Sequence, residues 1–136
     1  MWKAPKTNWV SGDFFNVEDY NRIKGNIGEL KTLSLKLWPD LPYTDYQDMG
    51  SDKTYEDISF YADEINKMEK NLDVVCQSTY GLELGEKKTY ESNQPFIDAD
   101  ELNRIESALL RLYDNLTNQY EGRRMLTFML GTREVF

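Results

Sequence analysis

The sequence predicts a mainly α chain, a three-helix bundle with a repeated helix-start motif, and three observations lead there. Apolar residues recur at alternating steps of three and four in three separate stretches, which is the seam of helices packed side by side. The segment "DYNRIKGNIGEL" at 19–30 returns as "ELNRIESALLRL" at 101–112, so one chain writes the same helix start twice. Prolines, glycines and aspartates gather between the stretches, where loops belong. At 136 residues the expectation is a single domain, 1–136, made of an extended arm over 1–15, a helical bundle over 16–122 and a C-terminal strand or tail over 123–136.

The arm "MWKAPKTNWVSGDFF" places Trp2, Trp9, Val10, Phe14 and Phe15 on a stretch that contains Pro5 and has no helical period. Aromatic surface is costly to leave in water. These side chains either fold back over the bundle or dock on a partner.

The first helix has its cap at Asn16, with Asp19 at the third helical position to complete a capping box. Its seam is Tyr20, Ile23, Ile27, Leu30 and Leu37, interrupted by Ser34. Trp38-Pro39 ends it near Leu37, because the residue before proline is pushed out of the α region. Gly25 and Gly28 each cost roughly 1 kcal/mol against alanine inside a helix and lie off the seam. They mark either a tolerated weak helix or a place where another subunit approaches the backbone.

Residues 39–53, "PDLPYTDYQDMGSDK", form a loop that is long for a plain bundle turn. The second helix starts at Thr54, with Asp57 and Ile58 in its first turn, and runs along Ile58, Tyr61, Ile65, Met68, Leu72 and Val75. It carries a weaker third copy of the motif, with Asn66-Lys67-Met68 on Asn103-Arg104-Ile105. Residues 78–95 hold two glycines between Thr/Tyr-rich flanks that can pair as a small β-hairpin. The third helix is capped by Asp98, with Glu101 at its third position and Leu102, Ile105, Leu109, Leu112 and Leu116 as its seam, and Gly122 closes it. After it, "RRMLTFMLGTREVF" alternates in part and reads as a strand. Three seams of similar length suggest an up-down-up order.

Arg22 lies four residues after Glu18, and Arg104 four after Asp100, so the bland reading of each arginine is a solvated surface pair. Asn21 and Asn103 have a second option, which is to reach the backbone of another segment.

Composition narrows the functions. Sixteen Lys and Arg against 24 Asp and Glu give a formal net charge of -8, which argues against nucleic-acid binding. There is no histidine and a single cysteine, Cys76, so the usual general base and the usual zinc ligands are missing. No metal, cofactor or catalytic set is expected: "YTDYQDMGSD" lacks the ligand order of a calcium loop, and nothing singles out a glycosidase pair among the 24 carboxylates. No apolar run approaches the roughly 20 residues of a membrane helix, and the opening stretch lacks a secretory h-region. The expectation is a soluble chain made in a cytoplasm.

Three stretches resemble a known group. The pattern W-x-x-P-K-T-x-W at Trp2 to Trp9, FN-x-x-D-Y-N-R-I at Phe15 to Ile23, and F-x-L-G at Phe128 to Gly131 is similar to small structural proteins of the tail or baseplate region in phages and prophages of Gram-positive bacteria. The resemblance implies a virion protein made in the host bacterial cytoplasm, partnered by other virion subunits as a homo-oligomer or ring component, and not an enzyme. The aromatic arm, the two off-seam glycines and the C-terminal segment bring forward Trp2, Pro5, Trp9, Phe14, Phe15, Gly25, Gly28, Phe128, Leu130 and Phe136 as interface residues. Two other readings fit the composition: an acidic phage-encoded inhibitor that mimics DNA against a host defence protein, and a glycan-binding accessory using the loop tyrosines Tyr43, Tyr46, Tyr55, Tyr80 and Tyr90. Loop tyrosines also serve simply to cover the ends of a bundle.

Overall fold

A computed structural model describes residues 2–54, 62–81 and 97–134, the last ten of them by backbone alone. Three helices pack together: α1 (Val17–Leu37), α2 (Ala62–Ser78) and α3 (Ala99–Glu134). Among the described residues there is no strand.

The helix starts follow the capping logic. The Asn16 side chain accepts from the Asp19 N–H, and the Asp19 carboxylate accepts from the Asn16 N–H, both at 3.0 Å. At α3 the Asp98 carboxylate accepts from the Glu101 N–H at 2.9 Å. Each cap satisfies donors that the first turn leaves without an intrahelical partner. The expected start of the second helix at Thr54 falls mostly outside the described residues. The Trp38-Pro39 stop holds, with α1 ending at Leu37.

The core is the three seams. Tyr20, Ile23, Ile27, Leu30 and Leu37 from α1, Ile65, Met68, Leu72 and Val75 from α2, and Leu102, Ile105, Leu109, Leu112 and Leu116 from α3 are all buried. Ser34, the polar break in the α1 seam, is buried too, and its hydroxyl shares a hydrogen bond with the Tyr43 phenol. Tyr43 itself takes a left-handed backbone, φ 47°, at the top of the returning chain.

The direction of the helices differs from the up-down-up expectation. Arg22 meets Glu106 near the start of α1 and of α3, and Arg123 reaches the Leu37 carbonyl where α1 ends. Arg104 meets Glu69 near the starts of α3 and α2, and the Tyr80 hydroxyl, just past α2, donates to the Asn115 carbonyl at 3.0 Å. All three helices therefore run the same way. A heptad seam serves parallel and antiparallel neighbours alike, so the apolar pattern carries no direction. The length of the 39–53 loop carries it, because a chain joining parallel helices must travel back the full length of the bundle. The described ends of the α2–α3 connection also lie at opposite ends of the bundle. Its expected β-hairpin falls largely on residues outside the described set.

A second correction concerns the C-terminal segment. α3 passes through Gly122 and continues as helix to Glu134, where a strand was expected over 123–136. The partial alternation there coincides with a helical spacing, Met125, Leu126, Met129 and Leu130, and Met and Leu are strong helix formers. One glycine costs less than ending a helix that is already propagating. At about 1.5 Å per residue the 36 residues of α3 span about 54 Å, against about 32 Å for the 21 of α1. The last turns of α3 therefore run beyond the end of α1.

Burial pushes the Tyr20 phenol up to about 12, helped by the neighbouring Glu64 carboxylate. A folded-state value above the unfolded 10 means that this stabilisation is complete below pH 10 and is lost as pH rises through 12. Urea titrations should show about 2–3 kcal/mol less stability at pH 12 than at pH 9 from this group, at about 1.36 kcal/mol per unit. In Tyr20→Phe that part of the alkaline slope should disappear.

Candidate functional site

An extended chain returning beside a helix exposes a peptide N–H and C=O at every residue, and these need partners wherever they are buried. Here asparagines supply them. Asn26 on α1 accepts from the Lys3 N–H at 2.9 Å and donates to the Lys3 carbonyl at 2.8 Å. Asn103 on α3 does the same to Trp9, at 2.8 and 2.9 Å. The segment 2–10 is thus clasped in the groove between α1 and α3.

A second groove repeats the device. Asn71 on α2 holds both backbone groups of Gln47, and Asn21 on α1 holds both of Lys53, all four bonds at 2.8 Å. The returning segment 47–53 therefore lies between α1 and α2. In each groove a third rung sits halfway. The Glu106 carboxylate accepts from the Lys6 N–H at 3.1 Å, while the Lys24 ammonium donates to the Gly50 carbonyl at 2.9 Å. Lys24 and Glu106 occupy equivalent positions in the two copies of the helix motif, so one place in the repeat carries an acid or a base according to which backbone group it faces. The rungs fall at every third residue of the strap, Lys3, Lys6, Trp9 and Gln47, Gly50, Lys53, which is the spacing that returns an extended three-fold chain to the same side.

Glu106 is the centre of the first clasp. It is fully buried and takes two bonds from Arg22, from Nε at 2.8 Å and Nη2 at 2.9 Å, one from the Lys6 N–H and one from the Trp9 indole. Arg22 is also held by Asp19 at 2.8 Å. An ionised carboxylate has about four acceptor sites, and all are used, so Glu106 has no lone pair left for proton transfer. Another deeply buried acid, Glu69, binds Arg104, which is braced in turn by Glu101, and burial lowers the Arg104 pKa. The Glu69 Oε2 atom is buried without a hydrogen-bond partner.

Trp2 is half-buried and stacks on Tyr113 of α3 with ring centres 4.0 Å apart and planes 4° from parallel. Pro5 is half-buried in the strap, Trp9 is 4% exposed, and Phe15 packs partly against the core. Of the two fates open to the arm, folding back is the one adopted by these four. Phe14 is the exception at 89% exposed, with Val10 beside it at 61%. Both border an open cleft of about 530 Å³ between the 9–15 turn and the start of α3. Among the described residues Gly25 and Gly28 meet nothing within 4 Å of where a Cβ would stand, so no contact there requires glycine. The side chains of Phe128 and Leu130 are not among those described, and Phe136 lies outside the described residues.

The loop tyrosines divide similarly. Tyr43 is buried, and Tyr46 and Tyr80 pack against the core, as covers for the bundle end. Tyr55 and Tyr90 lie outside the described residues. Among the described residues no group of three potential metal ligands gathers.

The chain matches no family, curated protein or solved structure with which it was compared. Its site is therefore read from its own geometry. The solvated pairs expected for Arg22 and Arg104 are replaced by cross-helix pairs to buried acids, while the backbone contacts open to Asn21 and Asn103 are made. Glu106, Glu69, Asn26 and Asn71 were missed, although a signal was present. Glu69 and Glu106 each stand three residues after a motif asparagine, and Asn26 and Asn71 each stand five after Asn21 and Asn66.

Glu106→Gln should lower the unfolding free energy in urea by about 3–5 kcal/mol, since it leaves buried partners of one charge unpaired. Glu121→Gln, in an exposed pair with Arg124, should change it by less than about 0.5 kcal/mol. Gly25→Ala should raise stability by about 0.5–1 kcal/mol in the same assay.

Proposed function

We propose that this chain is a non-catalytic structural or adaptor subunit of a phage particle, from the tail or baseplate region, joined to other virion subunits as a homo-oligomer or ring component. The observation that carries the reading is the use of the buried polar groups. Glu106 and Glu69 each bind an arginine of a neighbouring helix, and Asn21, Asn26, Asn71 and Asn103 hold returning chain against the helices, with every acceptor site of Glu106 engaged in that work. Such a body keeps its shape and presents surfaces.

The apolar surface agrees with this role. Two of the three large hydrophobic side chains exposed among the described residues, Val10 and Phe14, lie together on the turn between strap and α1. Within the arm, this reading puts the turn with Val10 and Phe14 forward as the docking surface.

Peptide mass spectrometry of gradient-purified particles should find the chain at a fixed ratio to the major capsid protein. Recovery only from the soluble fraction would sink the reading and favour the acidic-inhibitor alternative. In Phe14→Asp the circular dichroism and thermal midpoint should stay unchanged while the amount in particles falls several-fold.

A further inference from the structure

We infer that the α1/α3 groove is a receptor for an extended chain, and that it takes the 2–10 strap of a second copy in place of its own. The inference rests on the assembly role proposed above and names its means: strap exchange between neighbouring subunits.

The first ground is what the groove recognises. Asn26 and Asn103 touch only the N–H and C=O of Lys3 and Trp9, and Glu106 touches the N–H of Lys6. Side-chain contacts come from the Trp2 stack on Tyr113 and the Trp9 indole on Glu106. The second groove seats a segment of unrelated sequence, Gln47–Lys53, with the same three-rung arrangement. Recognition is therefore directed largely at the main chain, and the Trp2 and Trp9 contacts are offered equally by the strap of a second copy, so the groove does not distinguish a strap of the same subunit from that of a neighbour.

The second ground is the join. The strap is connected to α1 through an exposed turn at 11–14, in which Gly12 takes φ +96° with open space around it. The turn is held by local bonds, the Asp13 N–H to the Val10 carbonyl at 3.1 Å and the Asp13 carboxylate to the Val10 N–H at 3.0 Å and to Lys6 at 3.2 Å. Opening it breaks these contacts and leaves every groove rung available to be remade by an incoming strap. Exchange of an identical element thus costs little beyond association itself.

The third ground is the apolar surface of that turn. Among the described residues Val10 and Phe14 are left exposed, and they sit on the segment that would cross between two copies. In the exchanged form the two crossing segments lie side by side, and these side chains lose their exposure to water.

The test uses the full chain with a photo-activated benzoylphenylalanine replacing Trp2, the residue that stacks on Tyr113. Protein of natural isotope content and 15N-labelled protein are mixed after unfolding, refolded together over a range of concentrations, and irradiated. The Tyr113 peptide should be captured at every concentration, and the fraction of cross-links joining one labelled and one unlabelled peptide should rise with concentration. Cross-links confined to like isotopes throughout, or dimers on size exclusion without mixed cross-links, would overturn the inference. Failure to capture the Tyr113 peptide at all would overturn it too, by removing the strap from the groove. Deleting Ser11 and Gly12 shortens the turn and should push the mixed fraction up, with retained helical circular dichroism showing that the variant still folds. A chain present in particles but never exchanging straps would leave the structural role standing without this mechanism.

Discussion

Helices that all run the same way oblige the chain to return between them, and the rest of this structure depends on how the returning peptide is accommodated. A returning segment in the groove between two helices has no ladder partner, since helices keep their own backbone groups bonded internally. Water is partly excluded there, and an unpaired buried peptide group costs about 1–3 kcal/mol. Asparagine answers this because its side-chain amide carries one acceptor and one donor in the geometry of a peptide unit. Placed on a helix face, it offers a single rung of β-like pairing where no strand could fit. Asn26 and Asn71 do this while fully buried, a location their polarity would otherwise forbid.

Glu106 links this backbone problem to the packing of the bundle. A fully buried carboxylate needs several hydrogen bonds and a counter-charge to offset its lost hydration. Arg22 gives the charge from α1, and the strap gives the remaining donors through Lys6 and Trp9. One acid therefore ties α3, α1 and the strap, and seating any one depends on the other two. The Lys24 rung in the second groove follows the same reasoning with its sign reversed and less isolation from water. Lys24 faces a carbonyl and also pairs with the exposed Asp52 at 2.7 Å.

Much of the fold was legible in the sequence, and the parts that were not have physical causes. Asn16 and Asp98 as caps, Leu37 as the end of the first helix and every described seam residue follow from local rules that read a few neighbours at a time. Direction escapes such rules, because Tyr20–Leu30 and Leu102–Leu112 would bury the same faces in either orientation. The continuation of α3 past Gly122 was missed because Met125–Leu130 satisfies two periods at once. Within the site, Asn21 and Asn103 stood out through repetition. Glu106 did not, since a glutamate in the first third of a helix is ordinarily solvated and only its partners in the strap and on α1 show otherwise.

The repetition itself acquires a reason from this geometry. The motif places a core residue, a clasping asparagine and an arginine on three different sides of one helical turn. Tyr20 or Leu102 turns inward, Asn21 or Asn103 faces the strap in one groove, and Arg22 or Arg104 reaches the acid on a neighbouring helix. The starts of α1 and α3 meet the same set of neighbours, a strap in one groove and a buried acid on a neighbouring helix, so the same short segment solves both instances. Where the neighbour differs the motif differs: the place that is Glu106 beside an N–H becomes Lys24 beside a carbonyl. The repeated words in the sequence thus mark a repeated environment. What makes the environment repeat is the common direction of the helices, a property on which the apolar pattern is silent.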